Sequence, residues 1–165
     1  MRERAFDAFP ALAQAMAPAP PTNPAPVVTS AGALVDSLKV MGVKRIAMVA
    51  PYMKPLTQLV ADYIAHEGIE VREKIALEIP DNLEVGRRDP LLLTTIYKDL
   101  TLTGVDALVL SSCVQMPSLA AVQRVQDECG LPVLSASIAT TFQMLKQLNL
   151  STFVPNGGAL LSGKY

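Results

Sequence analysis

Three short runs of almost wholly apolar residues, separated by helical patterns, constrain the fold of this chain most. The runs are residues 45–50, 105–110 and 132–134, and their length and composition are typical of fully buried strands. A fourth run, residues 69–76, alternates apolar and polar side chains like a strand that faces water on one side. Because helical segments separate the strands, the sequence predicts an α/β fold with a doubly wound, mainly parallel sheet flanked by helices.

Helices are predicted where apolar side chains recur every three or four residues and where residues that favour helix ends stand at the boundaries. Asp89-Pro90, for example, is a favourable helix start, because Asp caps and Pro suits the first helical position. The predicted helices cover residues 31–41, 54–67, 89–102, 117–128 and 138–148.

The composition divides the chain at residue 26. We expect residues 1–26 to form a Pro-rich lead-in that can be disordered, and residues 27–165 to form one α/β domain. Within the domain, Val27-Val28 is a short strand candidate. Residues 77–88 are expected to form an irregular loop, because they contain several residues typical of turns.

Charge and composition exclude several classes of function. The chain has 165 residues, 18% of them charged, and a formal net charge of -1, so it lacks the basic surface that nucleic acids and anionic membranes attract. One histidine and two cysteines form no metal-ligand pattern, and no Gly-rich nucleotide motif is present. We therefore predict a cytoplasmic protein that uses no metal or other cofactor and binds neither nucleic acid nor membrane.

Cys113 is the best placed reactive group, because ligands of parallel α/β sheets bind beyond the carboxyl ends of the strands. It follows the strand 105–110 and precedes Met116-Pro117, where a helix is predicted to begin. The N–H groups at a helix start favour the thiolate form of a nearby cysteine. A buried structural cysteine is the alternative. That alternative is also the prediction for Cys129, at the far end of the same helix.

Two more polar side chains are expected near strand ends. Tyr52 directly follows the strand 45–50 and either presents its hydroxyl to the crevice or packs as a rim aromatic. Asn82 either donates to a carboxylate or stabilises a turn. His66 falls near the end of a predicted helix, away from the strand ends, so we expect a solvated residue rather than a member of a Cys–His pair.

Several segments of the chain carry a family resemblance. They are TSAGALVDSLKVMG (29–42), VAPYMKPL (49–56), ALEIPDNLEVGRRDP (76–90), LSSCVQMPSL (110–119), PVLSASIATTFQML (132–145) and PNGGALL (155–161). Together they resemble the maleate cis-trans isomerases of the aspartate/glutamate racemase superfamily, in particular those of bacterial nicotinic acid degradation. The CVQMPS sequence after a buried strand is the most specific part of the match.

The resemblance implies one half of a two-domain enzyme whose active site lies between the domains and needs no cofactor. Each domain of such enzymes supplies a cysteine: one thiolate adds to maleate, the former double bond rotates, and elimination yields fumarate. By resemblance, Cys113 matches the second-domain cysteine that handles the proton. Tyr52 and Asn82 match positions that contact the substrate carboxylates, and Val114 and Gln115 match positions that line the pocket.

The first domain of that family, with its own strand-end cysteine, is expected to be absent from this sequence. A fragment, a misplaced start, or a chain that pairs with another polypeptide would each account for this, and a homo-oligomer is a further expectation. We therefore expect a small dicarboxylate substrate but little or no isomerase activity from the chain alone. The alternatives are half of an aspartate-, glutamate- or hydantoin-type racemase, and a non-enzymatic module that binds a small anion or a partner.

Overall fold

The computed structural model describes residues 27–165, so the predicted lead-in of residues 1–26 lies outside the described residues. The described part is built on a parallel sheet in the order β2-β1-β3-β4, which confirms the predicted α/β fold. The inner strands β1 and β3 are buried almost throughout, whereas the edge strand β2 alternates in exposure. The strands are β1 (Arg45–Ala50), β2 (Glu70–Ala76), β3 (Ala107–Ser111) and β4 (Val133–Ser135).

Helices cover both faces of the sheet. They are α1 (Ser30–Val40), α2 (Lys54–His66), α3 (Asn82–Arg87), α4 (Leu93–Ile96), α5 (Leu119–Cys129) and α6 (Ala136–Gln147), with 3₁₀ turns at Pro90–Leu92 and Tyr97–Asp99. Helix α2 packs on β2, α5 on β4, and α1 on α6. Since parallel crossovers are right-handed and β2 and β4 lie on opposite sides of the central pair, α2 and α5 cover opposite faces.

The hydrophobic core lies between the sheet and these helices. Leu38 of α1, Met48 of β1, Leu108 of β3 and Phe142 of α6 are completely buried. Burial of such side chains is the main stabilising contribution in a domain of this size. The core therefore fixes the ends of the strands, and with them the residues that directly follow β1 and β3.

The segment 77–88 differs from its prediction as an irregular loop, because residues Asn82–Arg87 form α3. Asp81 caps this helix: its carboxylate accepts a hydrogen bond from the N–H of Leu83 at 2.8 Å. Gly86, which favoured a loop in the sequence, instead lies within this helix and packs beside Gln115: a Cβ there would lie at an ordinary contact distance of 3.6 Å from the Gln115 side chain. Tertiary packing thus overrides the local turn signals.

The single helix predicted for residues 89–102 is also wrong. Asp89 caps as expected, accepting from the N–H of Leu91 at 2.9 Å, but only short 3₁₀ and α turns follow. Thr94 donates its hydroxyl to the carbonyl of Leu91 at 2.7 Å. Such local side-chain bonds, and the β-branched residues around them, weaken a regular helix.

Three smaller boundaries differ as well. Val27-Val28 forms no strand, and Val28 instead packs against the core. Helix α5 begins at Leu119, two residues after the predicted Met116-Pro117 start. Helix α6 begins at Ala136, because the buried Ser135 caps it.

Candidate active site

Cys113 lies two residues beyond the end of β3, at the carboxyl edge of the sheet. It is partly buried, packs against the core and forms no disulfide. Ser111 holds its backbone: the Ser111 Oγ accepts from the N–H of Cys113 at 3.2 Å and donates to its carbonyl at 2.9 Å. The N–H of Ser112 donates to the carbonyl of Val49 at 2.9 Å. The sulfur therefore stands on a turn that is anchored to both central strands.

Tyr52 approaches Cys113 from the neighbouring strand. It follows β1, which pairs with β3, so the two strand ends lie side by side. Burial, followed by a side-chain hydrogen bond with Cys113, raises the pKa of the Tyr52 hydroxyl well above its ordinary range. Tyr52 therefore keeps its proton at neutral pH and can donate it to an anionic sulfur or carboxylate.

The backbone of Tyr52 is fixed independently of Cys113. Its carbonyl accepts one hydrogen bond from the Thr57 hydroxyl at 3.2 Å and another from the N–H of Glu78 at 3.2 Å. Thr57 is buried in the first turn of α2. Glu78 has a positive φ of 52°, a conformation that a non-Gly residue rarely adopts. The loop after β2 therefore contacts the loop after β1 through the hydrogen bond between Glu78 and Tyr52.

Gln115 connects the turn of residues 112–116, here called the cysteine turn, to the segment after β2. Its side-chain Nε2 donates to the backbone carbonyl of Asn82 at 2.6 Å, and both residues are exposed. Asn82 is the first residue of α3, so this bond fixes the start of that helix beside the cysteine turn. The structure thus brings Gln115 and Asn82 together, and the amide of Asn82 stays accessible to solvent.

Two cavities flank the cysteine turn. Val114, 44% exposed, lines one of about 870 Å³ together with residues that follow β3 and β4. Tyr52 and Ser112 line the other, of about 430 Å³, with apolar side chains of α1 and α2 such as Leu59. Cys113 is therefore flanked in the chain by one lining residue of each cavity.

Sequence reasoning assigned no role to the buried Ser118 and no specific role to Ser111. Ser118 donates to Ser135 at 2.9 Å, and both hydroxyls lie within 3.3 Å of Ser137. The role of Ser111 was not predicted, because a small hydroxyl residue at the end of an apolar strand resembles ordinary core. The signal that could have revealed it is its position, two residues before a strand-end cysteine.

The remaining candidates lie away from this edge. His66 is exposed at the last residue of α2. That helix runs from the carboxyl edge of the sheet to the amino edge, so His66 and Cys113 lie at opposite edges. Cys129 ends α5, is partly buried and packs against the core. Its contacts are those of a structural cysteine.

Within residues 27–165, no three His, Cys, Asp or Glu side chains gather closely enough to hold a metal ion. In the same part of the chain, every helix is too short or too polar to cross a bilayer. The groups that contact Cys113 are neutral: the Tyr52 phenol and the Ser111 hydroxyl. Neutral donors can orient a carboxylate without retaining it as strongly as an Arg clamp would.

Residues 2–161 match the Amdase family model, described as arylmalonate decarboxylase. Over 141 residues, the chain is 62% identical to a maleate isomerase of Geobacillus stearothermophilus. That alignment covers 86% of this chain and 56% of the Geobacillus protein. The resemblance to maleate isomerases that the sequence segments indicate is thereby confirmed, and the chain spans about half the length of the curated relatives it matches.

Solved structures give the same result. A cysteine-to-alanine variant of the Pseudomonas putida S16 maleate isomerase with maleate superposes with a TM-score of 0.83 at 55% identity, covering 85% of this chain and 56% of that one. A cysteine-to-serine variant of the Nocardia farcinica maleate cis-trans isomerase, which holds a covalent succinylcysteine intermediate, superposes with a TM-score of 0.84 at 38% identity. It covers 99% of this chain and 65% of that one.

Proposed function

This chain belongs to the arylmalonate decarboxylase family, and from that membership we propose that it supplies one half of a maleate isomerase active site. Cys113 is the catalytic residue of this half. The observation that carries the proposal is the placement of Cys113 and Tyr52 just beyond the paired strands β3 and β1, at one edge of the sheet, where the two side chains interact. The maleate isomerases with 62% and 55% identity support the choice of reaction.

In the proposed reaction, a thiolate from the other half of the enzyme adds to one alkene carbon of maleate. As the carbon–sulfur bond forms, the electron pair of the double bond moves to the adjacent carbon, and Cys113 delivers its proton there. The carbon–carbon bond is then single and rotates by about half a turn. Cys113 takes a proton back, the carbon–sulfur bond breaks, and fumarate leaves. The cycle consumes no oxidant, reductant or cofactor.

The other residues of the edge bind the substrate in this proposal. Tyr52 donates to a carboxylate or to the thiolate, and its raised pKa keeps the donor proton in place. The exposed amide of Asn82 contacts the second carboxylate. Val114, which lines the larger cavity, and Gln115 contact the substrate in this proposal. Gln115 also holds Asn82 in position through the 2.6 Å hydrogen bond.

We infer that the second cysteine comes from another half-domain, supplied by the same longer protein or by a separate chain. The edge around Cys113 is suited to such a partner, because it exposes large apolar side chains that water solvates poorly. They are Met53, Leu83, Val114 and Leu119, which are 44–62% exposed. The chain alone is then expected to have little or no isomerase activity. The two unpaired cysteines favour the cytoplasm as its compartment.

Fumarate formation from maleate tests this proposal. The purified chain should produce almost none, whereas co-expression with the first half of the Geobacillus isomerase should restore turnover. In the restored complex, Cys113→Ser should abolish turnover and Cys129→Ser, the matched control, should retain it. A normal enzymatic rate from the chain alone, or full activity of the Cys113→Ser complex, would refute the proposal.

A further inference from the structure

Ser111 is a buried residue whose side chain hydrogen-bonds the backbone of Cys113. It is the last residue of β3 and is completely buried. Its hydroxyl accepts from the N–H of Cys113 at 3.2 Å and donates to the carbonyl of Cys113 at 2.9 Å. One oxygen thus satisfies both polar groups of the peptide backbone at the reactive residue.

These two bonds replace sheet pairing at the point where the chain leaves the sheet. The register between β3 and β4 shifts between Val109 and Ser111, so the regular ladder is already interrupted there. The N–H of Ser112 still pairs with Val49 of β1. Beyond it, the Ser111 hydroxyl determines the path of the backbone at Cys113, and therefore the direction of its side chain.

The partner of the Cys113 sulfur is fixed from the other side. Tyr52 is held at its carbonyl by Thr57 and by Glu78, which belong to different elements from Ser111. The contact between sulfur and phenol therefore joins two groups with separate anchors. Loss of either anchor loosens the contact, even though the contact atoms themselves are unchanged.

We infer that Ser111 is a positioning residue that holds the Cys113 sulfur against the Tyr52 hydroxyl. This inference rests on the proposed function of Cys113. An alanine at position 111 leaves the N–H and carbonyl of Cys113 without these partners, whereas a threonine keeps the hydroxyl. The reactivity of the sulfur therefore depends on a hydroxyl that does not touch it.

Alkylation of the purified chain by iodoacetamide near neutral pH, mapped by peptide mass spectrometry, tests the inference. Cys129 in the same molecule serves as the internal reference. Ser111→Ala should lower the ratio of Cys113 to Cys129 alkylation rates by about tenfold, because the sulfur is no longer held beside the Tyr52 donor. Ser111→Thr should restore the ratio.

Ser135→Ala is the matched control. Ser135 is equally buried and pairs with Ser111 across β3 and β4, but its hydroxyl bonds Ser118, Ser137 and the N–H of Ile138. It should lower stability without changing the ratio. A folded Ser111→Ala with an unchanged ratio of alkylation rates, or an equal change of that ratio in Ser135→Ala, overturns the inference.

If Ser111→Ala does not fold, the isosteric variants Ser111→Thr and Ser111→Val, which keep and remove the hydroxyl, are compared. A ratio of alkylation rates at least about fivefold higher in Ser111→Thr than in Ser111→Val supports the positioning role, and a smaller difference between the folded variants overturns it. Maleate is absent from this assay. Failure of the positioning role is therefore distinguishable from failure of the isomerase proposal, which the fumarate assay reveals.

Discussion

At the scale of single residues, the proposed chemistry depends on the interaction between Tyr52 and Cys113. A phenol whose pKa is raised by burial remains a hydrogen-bond donor under the conditions in which a thiolate is reactive. A charge-assisted hydrogen bond of this kind stabilises the anion more than a bond between neutral groups does. The reactivity of the sulfur should therefore depend on the Tyr52 hydroxyl.

Tyr52→Phe removes only the hydroxyl and should slow alkylation of Cys113 by about tenfold, the effect of losing one hydrogen bond to a charged group. Peptide mapping after iodoacetamide treatment measures this rate. Tyr97→Phe is the control, because Tyr97 is also buried, and this burial, followed by a hydrogen bond with Glu128, raises the pKa of its hydroxyl to about 12. Equal rates for Cys113 in Tyr52→Phe and the original chain would show that the phenol does not act on the sulfur.

The sequence predicted Cys113 and Tyr52 as site residues only from their positions at the ends of predicted strands. Cys113 and Tyr52 were singled out because each follows an apolar strand, and parallel neighbours bring such ends together. The hydrogen bond from Gln115 to the Asn82 carbonyl could not be predicted, because it depends on how the segment after β2 folds back. The role of Ser111 was hidden for a similar reason: a buried hydroxyl has no periodic signature.

At the scale of elements, the carboxyl edge is assembled from loops that hold one another. The Gln115 side chain bonds the first residue of α3, and a Cβ on Gly86 in that helix would lie 3.6 Å from Gln115. Helix α3 has only six residues, too few to be stable by itself. It therefore depends on the cysteine turn for its position.

Gln115→Ala should make the amides of α3 exchange about fivefold faster with deuterium, because one exposed hydrogen bond contributes about 1 kcal/mol. Hydrogen-exchange mass spectrometry over residues 82–88 gives the rates. Gln123→Ala is the control, since the Gln123 amide donates to Asp127 within α5 at 2.7 Å. Unchanged exchange at α3 in Gln115→Ala would contradict a tether between the two loops.

The turn at Gly157-Gly158 packs against β4 and α5. A Cβ on Gly158 would lie 2.6 Å from the Val133 carbonyl oxygen and 2.7 Å from Val122 Cγ1, and its φ is 73°. Gly130 has nearly the same φ of 72° but open space around a Cβ. A comparison of substitutions at Gly130 and Gly158 therefore separates the cost of backbone strain from the cost of close packing.

Gly130→Ala should cost about 1 kcal/mol in the free energy of unfolding, from the left-handed backbone alone. Gly158→Ala should cost about 2 kcal/mol more, because the added methyl also overpacks the site against β4 and α5. Urea unfolding measures both values. Equal losses in the two variants would contradict tight docking of this turn.

Helices and strands differ in how well the sequence predicted them. The buried strands and the helices with long apolar faces were predicted within a few residues, because their periodicity reflects the core directly. Helix α3 was missed because its Gly and Pro neighbours are turn signals. The region after Asp89 was predicted as one regular helix, but a favourable cap residue does not determine how far a helix continues.

At the scale of the whole molecule, ion pairing fixes the amino edge of the sheet opposite the active site. Asp106 accepts from the Arg45 guanidinium at 2.7 Å and from the backbone N–H groups of Lys44 and Arg45. The hydrogen bond with Arg45, followed by those backbone N–H groups, lowers the pKa of Asp106 from 3.8 to about 2 against the opposing effect of burial. The ionised carboxylate therefore stabilises the fold above about pH 4, and this contribution is lost as the pH falls through about 2.

Asp106→Asn should consequently lower the melting temperature at neutral pH, and the difference from the original chain should narrow as the pH falls from about 4 to about 2. Thermal unfolding at a series of pH values measures this. Asp127→Asn, on the exposed surface of α5, controls for the loss of one negative charge. A difference that stays constant down to pH 2 would contradict the assignment of the acid dependence to Asp106.

The central claim is that the Cys113 sulfur faces a crevice that receives maleate, and protection from alkylation tests it most directly. The rate of iodoacetamide modification at Cys113, relative to the rate at Cys129 in the same chain, is measured with and without millimolar maleate. The account predicts that maleate slows modification of Cys113 in a saturable manner and leaves Cys129 unaffected. Indifference of Cys113 to maleate, or equal slowing at both cysteines, would contradict it.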